Sequence, residues 1–377
     1  MIDLADVAAM AGERSDEIEA LRQLPSDLVD ALVETGVFKL WVADCYGGAQ
    51  GHVSELLDAV ELMSYHDGST GWCVMIGGTT GLTSGALPAE HGQAIYGDAR
   101  SVTGGFGMPA GTAVAIDGGL RVTGRWAWGS GASHCTWIGG GVRIVDDVGR
   151  PTPLPDGTAA PFVFFDLDDV ELLDTWHVSG LKGTGSTDYE VADATVPEGR
   201  WVNLVSREPV IDSPLYRFSF FGALAVGVAS VTVGLARRAV NELMALGDKM
   251  PSGSQRRLSE RPVVQARLAE ADAAVRASRS FMREVVDECW AGAAEGSVTD
   301  EQTRLLRLAA NHAVERSTHA VDLCYHAAGG TAVYESSPLQ RVFRDVHVAT
   351  QHGMVAPRVM EPLGRMLFGL DTDTRQL

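Results

Sequence analysis

The stretch PLYRFSFFGALAVGVASVTVGLARRAVNELMALG, residues 214–247, carries apolar and small residues at helical spacing over nearly its whole length. Two more long stretches with a helical period follow at 261–293 and 300–330, and a shorter one begins after Pro338. Long amphipathic helices joined by short connections are typical of antiparallel bundles. The sequence therefore predicts a C-terminal four-helix bundle over residues 211–377.

Two other patterns precede this bundle. Residues 1–100 repeat apolar positions at helical spacing, as in EIEALRQLPSDLVDALVETGVF and HVSELLDAVELMSYH, and predict an N-terminal helical domain. Residues 101–210 are rich in Gly and Pro and contain short β-branched runs such as TAVAI and PFVFFDL, which predict a central antiparallel β domain, a small sandwich or barrel. The expected fold class is α+β, mostly α.

Composition limits the classes of partner. The chain has 377 residues, with 30 Lys and Arg against 49 Asp and Glu and a net charge of −19, which argues against nucleic acid or an anionic membrane as main partner. The longest apolar stretch, 218–236, is interrupted by Gly, Ser and Thr, and the first residues carry acids with no basic region, so we expect a cytoplasmic protein without a membrane span. Five scattered cysteines predict buried free thiols.

The sequence offers little support for a nucleotide-binding or metal-binding motif. Neither GGFGMPAG (104–111) nor GTGSTD (183–188) has the spacing of a dinucleotide loop opening a helix. His312, His319 and His326 stand seven residues apart, which places neighbours on one helix about 10 Å apart, too far to share an ion. No metal site is expected.

Four stretches, in this order, resemble the acyl-CoA dehydrogenase superfamily along nearly the whole chain. They are ETGVFKLWVADCYGG (34–48), VTGRWAWGSGASHCTW (122–137), WHVSGLKGTGSTDYEVADATVPEGR (176–200) and HAAGGTAVYESSPLQRVFRDVH (326–347). The resemblance implies the acyl-CoA dehydrogenase-like fold and a flavin enzyme, usually a tetramer, with the flavin ring between the β domain and the bundle.

The catalytic base of the dehydrogenases is missing at both places where the superfamily carries it. Abstraction of an α-proton from an acyl thioester needs a carboxylate. The position eight residues after Asp345 is Gly353, and residues 214–241 contain neither Asp nor Glu. A dehydrogenase or oxidase of acyl thioesters with a different base stays an alternative, as does a flavin-free binding or scaffold subunit.

The chain more closely resembles group D two-component flavin monooxygenases, the branch that includes oxygenase components for indole-3-acetate, a secosteroid phenol and p-hydroxyphenylacetate. The pattern RW-x-aromatic-x-SG-x-x-H-x-x-W and the histidine that closes ESSPLQRxFRDxHxxxxH carry this similarity. It implies reduced FAD or FMN from a separate NAD(P)H-flavin reductase, oxygen bound as a C4a-hydroperoxyflavin, an aromatic or polycyclic small-molecule substrate, and a homotetramer.

The resemblance also implies site residues. Catalytic roles fall on Ser130, near flavin N5, and on His352, beside peroxide and substrate; their alternatives are a turn residue and a structural bundle histidine. Asp345 with Arg344 is equally explained by an ion pair inside the protein. The cofactor-binding candidates are Phe106, Gly107, Met108, Ser130, Gly131, Thr184, Gly185, Ser186, Gly329, Gly330 and Arg344. The candidate substrate residues are Trp72, His134, Phe218 and Phe221, with Trp137 and Phe220 as further wall residues.

Overall fold

The computed structural model of the chain describes residues 3–205, 209–251, 253–375 and 377. Its first part is helical, as expected, and consists of α1 (Leu4–Glu13), α2 (Ser15–Leu21), α3 (Ser26–Thr35), α4 (Val53–His66), α5 (Gly68–Thr80) and α6 (Ala89–Tyr96). Local capping fixes where the helices begin. Asp67 caps α5, since its carboxylate accepts hydrogen bonds from the main-chain N–H and the hydroxyl of Thr70, both at 2.8 Å.

The central part forms one seven-stranded sheet. Its strands are β1 (Thr103–Ile116), β2 (Gly119–Gly129), β3 (Trp137–Val145), β4 (Phe162–Phe165), β5 (Val170–Leu173), β6 (Thr187–Pro197) and β7 (Trp201–Val202). Their order across the sheet is β5-β6-β2-β1-β3-β4-β7.

The sheet is mixed, where the sequence predicted antiparallel pairing throughout. β1 and β3 run parallel, whereas the other neighbours are antiparallel. The reason is that β3 does not fold back beside β2 but lies on the far edge of β1. Two reversals of direction, from β1 to β2 and from β2 to β3, leave β3 pointing the same way as β1.

The last part is the expected helical bundle. It contains α7 (Pro214–Arg217), α8 (Phe220–Ala245), α9 (Pro262–Glu295), α10 (Asp300–Ala328), α11 (Pro338–Ala349) and α12 (Met360–Leu367). Helix α8 is long and apolar enough to cross a membrane by composition, but 78% of its most apolar window is buried inside the protein. It is the core helix of the bundle, packed against α4, α9, α10 and α11.

Glycines allow helices to pack closely, both within the N-terminal part and between that part and the bundle. A Cβ on Gly71 of α5 would lie 1.9 Å from the Ser64 hydroxyl oxygen of α4, and one on Gly234 of α8 would lie 2.4 Å from the Glu61 carbonyl oxygen. One continuous hydrophobic core consequently runs through both helical parts, and a second, smaller core lies within the sheet. The acyl-CoA dehydrogenase-like fold class is confirmed, while the boundaries at residues 100 and 210 stay predictions.

Four of the five cysteines are buried free thiols, as predicted. Cys45 is exposed, because it lies on a short 3-10 turn, Asp44–Tyr46, at the surface.

Candidate active site

Four polar side chains from three separate elements form one chain of hydrogen bonds. The indole N–H of Trp72 donates to Oγ of Ser130 at 3.0 Å. Ser130 Oγ lies 2.7 Å from Ser186 Oγ, which lies 2.6 Å from Thr184 Oγ1. The Thr184 hydroxyl donates to the carbonyl oxygen of Leu181 at 2.9 Å. All four side chains are buried, so the chain is protected from water.

The turns that carry these hydroxyls pack against each other. Ser130 follows the last residue of β2, and Gly131 continues in the left-handed region with φ 72°. The N–H of Gly131 donates to the Thr184 carbonyl oxygen at 2.9 Å. Gly185 also has positive φ, at 53°, and reverses the chain so that Ser186 points back to Ser130. Glycine adopts such angles without steric cost.

His352 reaches the same place from the end of the bundle. Its ring contacts the Trp72 ring edge to face, with 5.6 Å between the centroids. Burial, and secondly the positive charge of Arg307, lowers the pKa of His352 to about 4, so the imidazole is neutral at pH 7. Its Nδ1 accepts from the Met354 N–H at 3.3 Å, which leaves the ring proton on Nε2. Trp72 therefore connects the two predicted catalytic residues, Ser130 and His352.

The predicted flavin strand is irregular at the expected place. In β1 the pairing with β3 jumps from Phe106 opposite Gly140 to Pro109 opposite Gly141, so Gly107 and Met108 are left without partners in β3. Both are exposed, whereas the N–H of Phe106 already donates to the Tyr189 hydroxyl at 3.0 Å. The main chain of Gly107 and Met108, which does not pair with β3, and the exposed Met108 side chain are therefore available to a ligand.

Trp128 is a site candidate that the sequence reasoning missed. Its side chain is 60% exposed although it stands two residues before buried Ser130, and its φ of 60° is unusual for a bulky residue. It contacts Phe106 edge to face, with 5.5 Å between centroids, beside exposed Met108. An exposed aromatic residue held in a strained backbone next to a polar site points to a binding surface. Its place as the aromatic residue of the RW-x-aromatic-x-SG motif was the available signal.

Thr184 and Ser186 were expected near the flavin phosphate or ribitol. Their side chains are buried and turn toward Ser130 instead, so neither hydroxyl is presented to an external anion. The main chain of Gly185 is partly exposed and keeps the phosphate prediction open.

Arg344 is engaged inside the protein. Its guanidinium donates to both carboxylate oxygens of Glu19, at 2.8 and 3.0 Å, and to the Ser179 carbonyl at 2.6 Å. Burial alone would raise the pKa of Glu19, but hydrogen bonds from Arg344, Lys182 and Arg341 lower it to about 2. A phosphate role for Arg344 would require it to leave Glu19. The partner of Arg344 is thus Glu19, not Asp345.

The remaining candidates stand outside the Trp72–Ser130–Ser186–Thr184 chain, although the His134 N–H donates to the carbonyl oxygen of Gly131 at 2.9 Å. His134 is neutral, since burial lowers its pKa to about 4, and it borders a cavity of about 550 Å³ beside α2 and α3 that Trp72, Phe218 and Phe221 do not line. Trp137 packs under the Arg200 guanidinium at 5.1 Å. Phe218 is buried just before α8, and Phe220 and Phe221 pack edge to face at its start. Gly329 and Gly330 are exposed after α10.

Ser130, its neighbours in the chain and the irregular part of β1 together offer groups that suit a flat aromatic ring with polar edges. Trp128 and Met108 offer exposed apolar surface, Gly107 and Gly131 carry no side chain, and Ser130 supplies a hydroxyl. These are the contacts that an isoalloxazine would need. Among the described residues, no three His, Cys, Asp or Glu side chains gather as metal ligands would.

The known proteins to which this chain is similar point to one family. Residues 226–357 match the family described as acyl-CoA dehydrogenase, C-terminal domain. The chain is 31% identical to indole-3-acetate monooxygenase of Pseudomonas putida over 94% of this chain and 90% of that protein. It is 29% identical to HsaA, the oxygenase subunit of a flavin-dependent monooxygenase of Rhodococcus jostii, over 96% of each chain.

A solved structure extends the likeness to the whole fold. XiaF from Streptomyces, in complex with FADH2 and glycerol, superposes with a TM-score of 0.90 at 26% identity, over 98% of this chain and 95% of XiaF.

Proposed function

Because this chain belongs to the family of oxygenase components of flavin-dependent monooxygenases, we propose that it places one oxygen atom of O2 on an aromatic or polycyclic small molecule. The reduced FAD or FMN that it uses would come from a separate NAD(P)H-flavin reductase. Support for an aromatic substrate comes from the aromatic side chains near His352 and at the start of α8, where Trp72 and Phe218 are buried.

One observation carries this proposal: Trp72 contacts both Ser130 and His352. The three residues come from α5, from the end of β2 and from the segment after α11. Their meeting places a hydroxyl and a neutral imidazole on either side of one indole ring. An acyl-thioester dehydrogenase would need a carboxylate there, and position 353 is glycine.

The residues that would hold the flavin combine exposed positions of β1 and β2 with the buried turn of Ser130 and Gly131. Trp128 and Met108 would cover the ring system, Gly107 and Gly131 would let main chain approach it, and Ser130 would bond its N5 edge. When bound, reduced flavin supplies the two electrons with which O2 is divided between product and water.

The side chains of this protein would then exclude water from the reacting atoms and supply a hydrogen-bond donor to them. Buried Trp72, which contacts both Ser130 and His352, would exclude water from the reacting atoms, which suppresses the wasteful release of peroxide. His352 carries its proton on Nε2 and can donate a hydrogen bond to an oxygen atom or substrate hydroxyl. Since its pKa is about 4, it acts as a neutral donor over the whole physiological range.

We propose a homotetramer in the cytoplasm as the working form. Exposed apolar side chains near Gly329, such as Val333 and Tyr334, support contacts between copies of the chain. The net charge of −19 agrees with a soluble partner such as a reductase better than with nucleic acid or an anionic membrane.

The direct test is isotope incorporation. Protein, photoreduced FAD and ¹⁸O2 are mixed with indole-3-acetate, phenol or biphenyl, and the masses of the products are measured by mass spectrometry. We expect at least one product heavier by a single ¹⁸O atom. Two results together would contradict the proposal. With every aromatic compound, the amount of peroxide formed would equal the amount of flavin oxidised, and the protein would dehydrogenate octanoyl-CoA.

A further inference from the structure

Counting the protons that each group can donate assigns a direction to every hydrogen bond in the Trp72–Ser130–Ser186–Thr184 chain. A hydroxyl has one proton to donate, and a carbonyl oxygen can only accept. Thr184 donates its proton to the Leu181 carbonyl oxygen. In its contact with Ser186, Thr184 must therefore be the acceptor, and Ser186 the donor.

The same count settles the orientation of Ser130. Because Ser186 donates its proton to Thr184, Ser130 must be the donor in the 2.7 Å contact between Ser130 and Ser186. Ser130 also accepts the indole N–H of Trp72. It therefore has no proton left, and one lone pair remains to accept a further hydrogen bond.

Flavin N5 changes its hydrogen-bonding character on reduction. Reduced flavin carries a proton on N5 and donates, whereas oxidised flavin offers only a lone pair there. A Ser130 hydroxyl that can only accept a hydrogen bond is complementary to the N5–H of reduced flavin. In oxidised flavin, the lone pair of N5 would face a lone pair of Ser130 Oγ. Because the chain is buried, no water is at hand to relieve that mismatch.

We propose that Thr184 and Ser186, acting through Ser130, make this site selective for reduced flavin. They are positioning residues, since they set the orientation of a hydroxyl that would contact the cofactor. The inference rests on the proposed function, because it takes Ser130 as the partner of N5. It also gives a physical reason for an oxygenase component to take up reduced flavin and release it oxidised.

Two substitutions free the Ser130 proton by different routes. Ser186→Ala removes the group to which Ser130 donates. Thr184→Val removes the acceptor of the Ser186 proton, so that Ser186 can donate to Ser130 instead. In both variants Ser130 becomes able to donate to oxidised N5. Thr184→Ser keeps the hydroxyl and is expected to behave as wild type.

The chain offers a matched control in Thr83. Its hydroxyl also donates to the carbonyl oxygen three residues earlier, that of Thr80 at 2.9 Å, and bonds a neighbouring hydroxyl, that of Tyr96 at 2.7 Å. Thr83→Val therefore removes the same bonds from a similarly buried place in the N-terminal helical part. It should cost similar thermal stability without changing flavin selectivity.

The experiment measures dissociation constants for oxidised and photoreduced FAD by anaerobic titration, together with the midpoint potential of bound FAD. We expect wild type, Thr83→Val and Thr184→Ser to bind reduced FAD more tightly than oxidised FAD. In Ser186→Ala and Thr184→Val the ratio of the two constants should fall about tenfold, which corresponds to about 30 mV for two electrons. Either variant suffices if the other does not fold.

The outcomes separate the two claims. A wild-type protein that binds neither form of FAD overturns the proposed function, and this inference with it. A wild type that binds reduced FAD, with a ratio that stays within twofold in Ser186→Ala and Thr184→Val, overturns the selectivity by Thr184 and Ser186 and leaves the proposed function standing.

Discussion

The environment of His352 decides which form of its imidazole the site contains. Burial disfavours the charged ring, and the nearby Arg307 cation disfavours it further. The Met354 N–H occupies Nδ1, so the remaining proton is fixed on Nε2. His352 is therefore a hydrogen-bond donor of constant charge, although free histidine titrates near neutrality.

This environment predicts the pH dependence of oxygen transfer. With a pKa of about 4, His352 stays neutral from pH 8 down to pH 5, so it should produce no inflection near pH 6.5 in the yield of product per flavin oxidised. His352→Ala should lower that yield about a hundredfold and release peroxide instead.

The control for this prediction is His326→Ala, which changes an exposed histidine of α10. An inflection near pH 6.5 that disappears in His352→Ala would show that the ring is charged in the working site.

Some of these residues could be predicted from the sequence, and some could not. Ser130 and His352 stand inside motifs, and the structure brings them to one indole ring. The orientation of Thr184 and Ser186 toward Ser130 depends on the meeting of two turns distant in the chain. Trp128 stands inside the same motif as Ser130, but it was missed because its exposure follows from its backbone conformation, which the motif does not show.

At the scale of elements, the register of β1 with β2 ends at Thr112 and Thr123. The Trp126 side chain packs against the glycines of β1 and β3 next to this point. A Cβ on Gly111 would lie 2.4 Å from its ring, and one on Gly140 would lie 2.5 Å from it, so glycine is needed at both places. The strand irregularity at Gly107 and Met108 is thus built into the packing of the sheet.

The Tyr189 hydroxyl bridges β1 and β3 at the same irregularity. It accepts from the Phe106 N–H and donates to the Gly139 carbonyl at 2.5 Å, replacing bonds that the strands do not make. Tyr189→Phe should cost about 1–3 kcal/mol in the free energy of unfolding, because both groups lose their partner. It should also weaken binding of reduced FAD severalfold, since Gly107 and Met108 would lose their fixed position.

Tyr96→Phe is the matched control, because the buried Tyr96 hydroxyl also bonds two groups, Thr80 and Thr83. Denaturant unfolding and anaerobic FAD titration of both variants provide the measurement. Equal effects of the two substitutions on FAD binding would show that Tyr189 only stabilises the fold.

Asp345 connects three elements that carry site residues. Its carboxylate on α11 accepts from the Leu181 N–H at 2.6 Å, beside the turn of Thr184, and lies against Gly68 at the start of α5. Burial raises the pKa of Asp345 to about 7; the Leu181 hydrogen bond opposes this, and the neighbouring Asp67 carboxyl adds to it.

The folded protein therefore holds a proton on Asp345 that the unfolded chain releases above pH 4. Stability from this group is fully present below about pH 4 and is lost as the pH rises through 7. Asp345→Asn should remove that loss and be more stable than wild type at pH 8, by a few kcal/mol. Asp345→Ala should be less stable than Asp345→Asn at every pH, because the Leu181 N–H loses its acceptor. Identical pH profiles of unfolding for wild type and Asp345→Asn would refute this.

The presence of strands in the central part could be predicted from its β-branched runs, but the pairing of β1 with β3 could not. Parallel pairing depends on which edge of β1 the returning chain occupies. Trp126 decides much of that geometry, and a buried tryptophan looks like ordinary core in a sequence.

For the whole molecule, the shared core of the two helical parts leaves apolar side chains at the far end of the bundle. Phe368 is 85% exposed and follows α12 directly. We expect a particle of about 160 kDa by light scattering, four times the 40.0 kDa of the chain. Phe368→Asp should weaken the proposed assembly, because it would replace an exposed apolar side chain by a charge.

Val148→Asp is the control for assembly, since Val148 is exposed on a loop of the sheet. A wild type of about 40 kDa would contradict the tetramer, and dissociation by Val148→Asp would place the contact elsewhere.

The measurement that tests the central claim most directly is the reoxidation of flavin on the wild-type protein. Photoreduced FAD is bound without oxygen, mixed rapidly with oxygenated buffer, and followed by the return of oxidised-flavin absorbance. The account predicts that this return is slower on the protein than for free flavin, because buried residues around Ser130 and His352 exclude water. Reoxidation as fast as that of free flavin, with oxidised FAD held tightly and bleached by octanoyl-CoA, would contradict it.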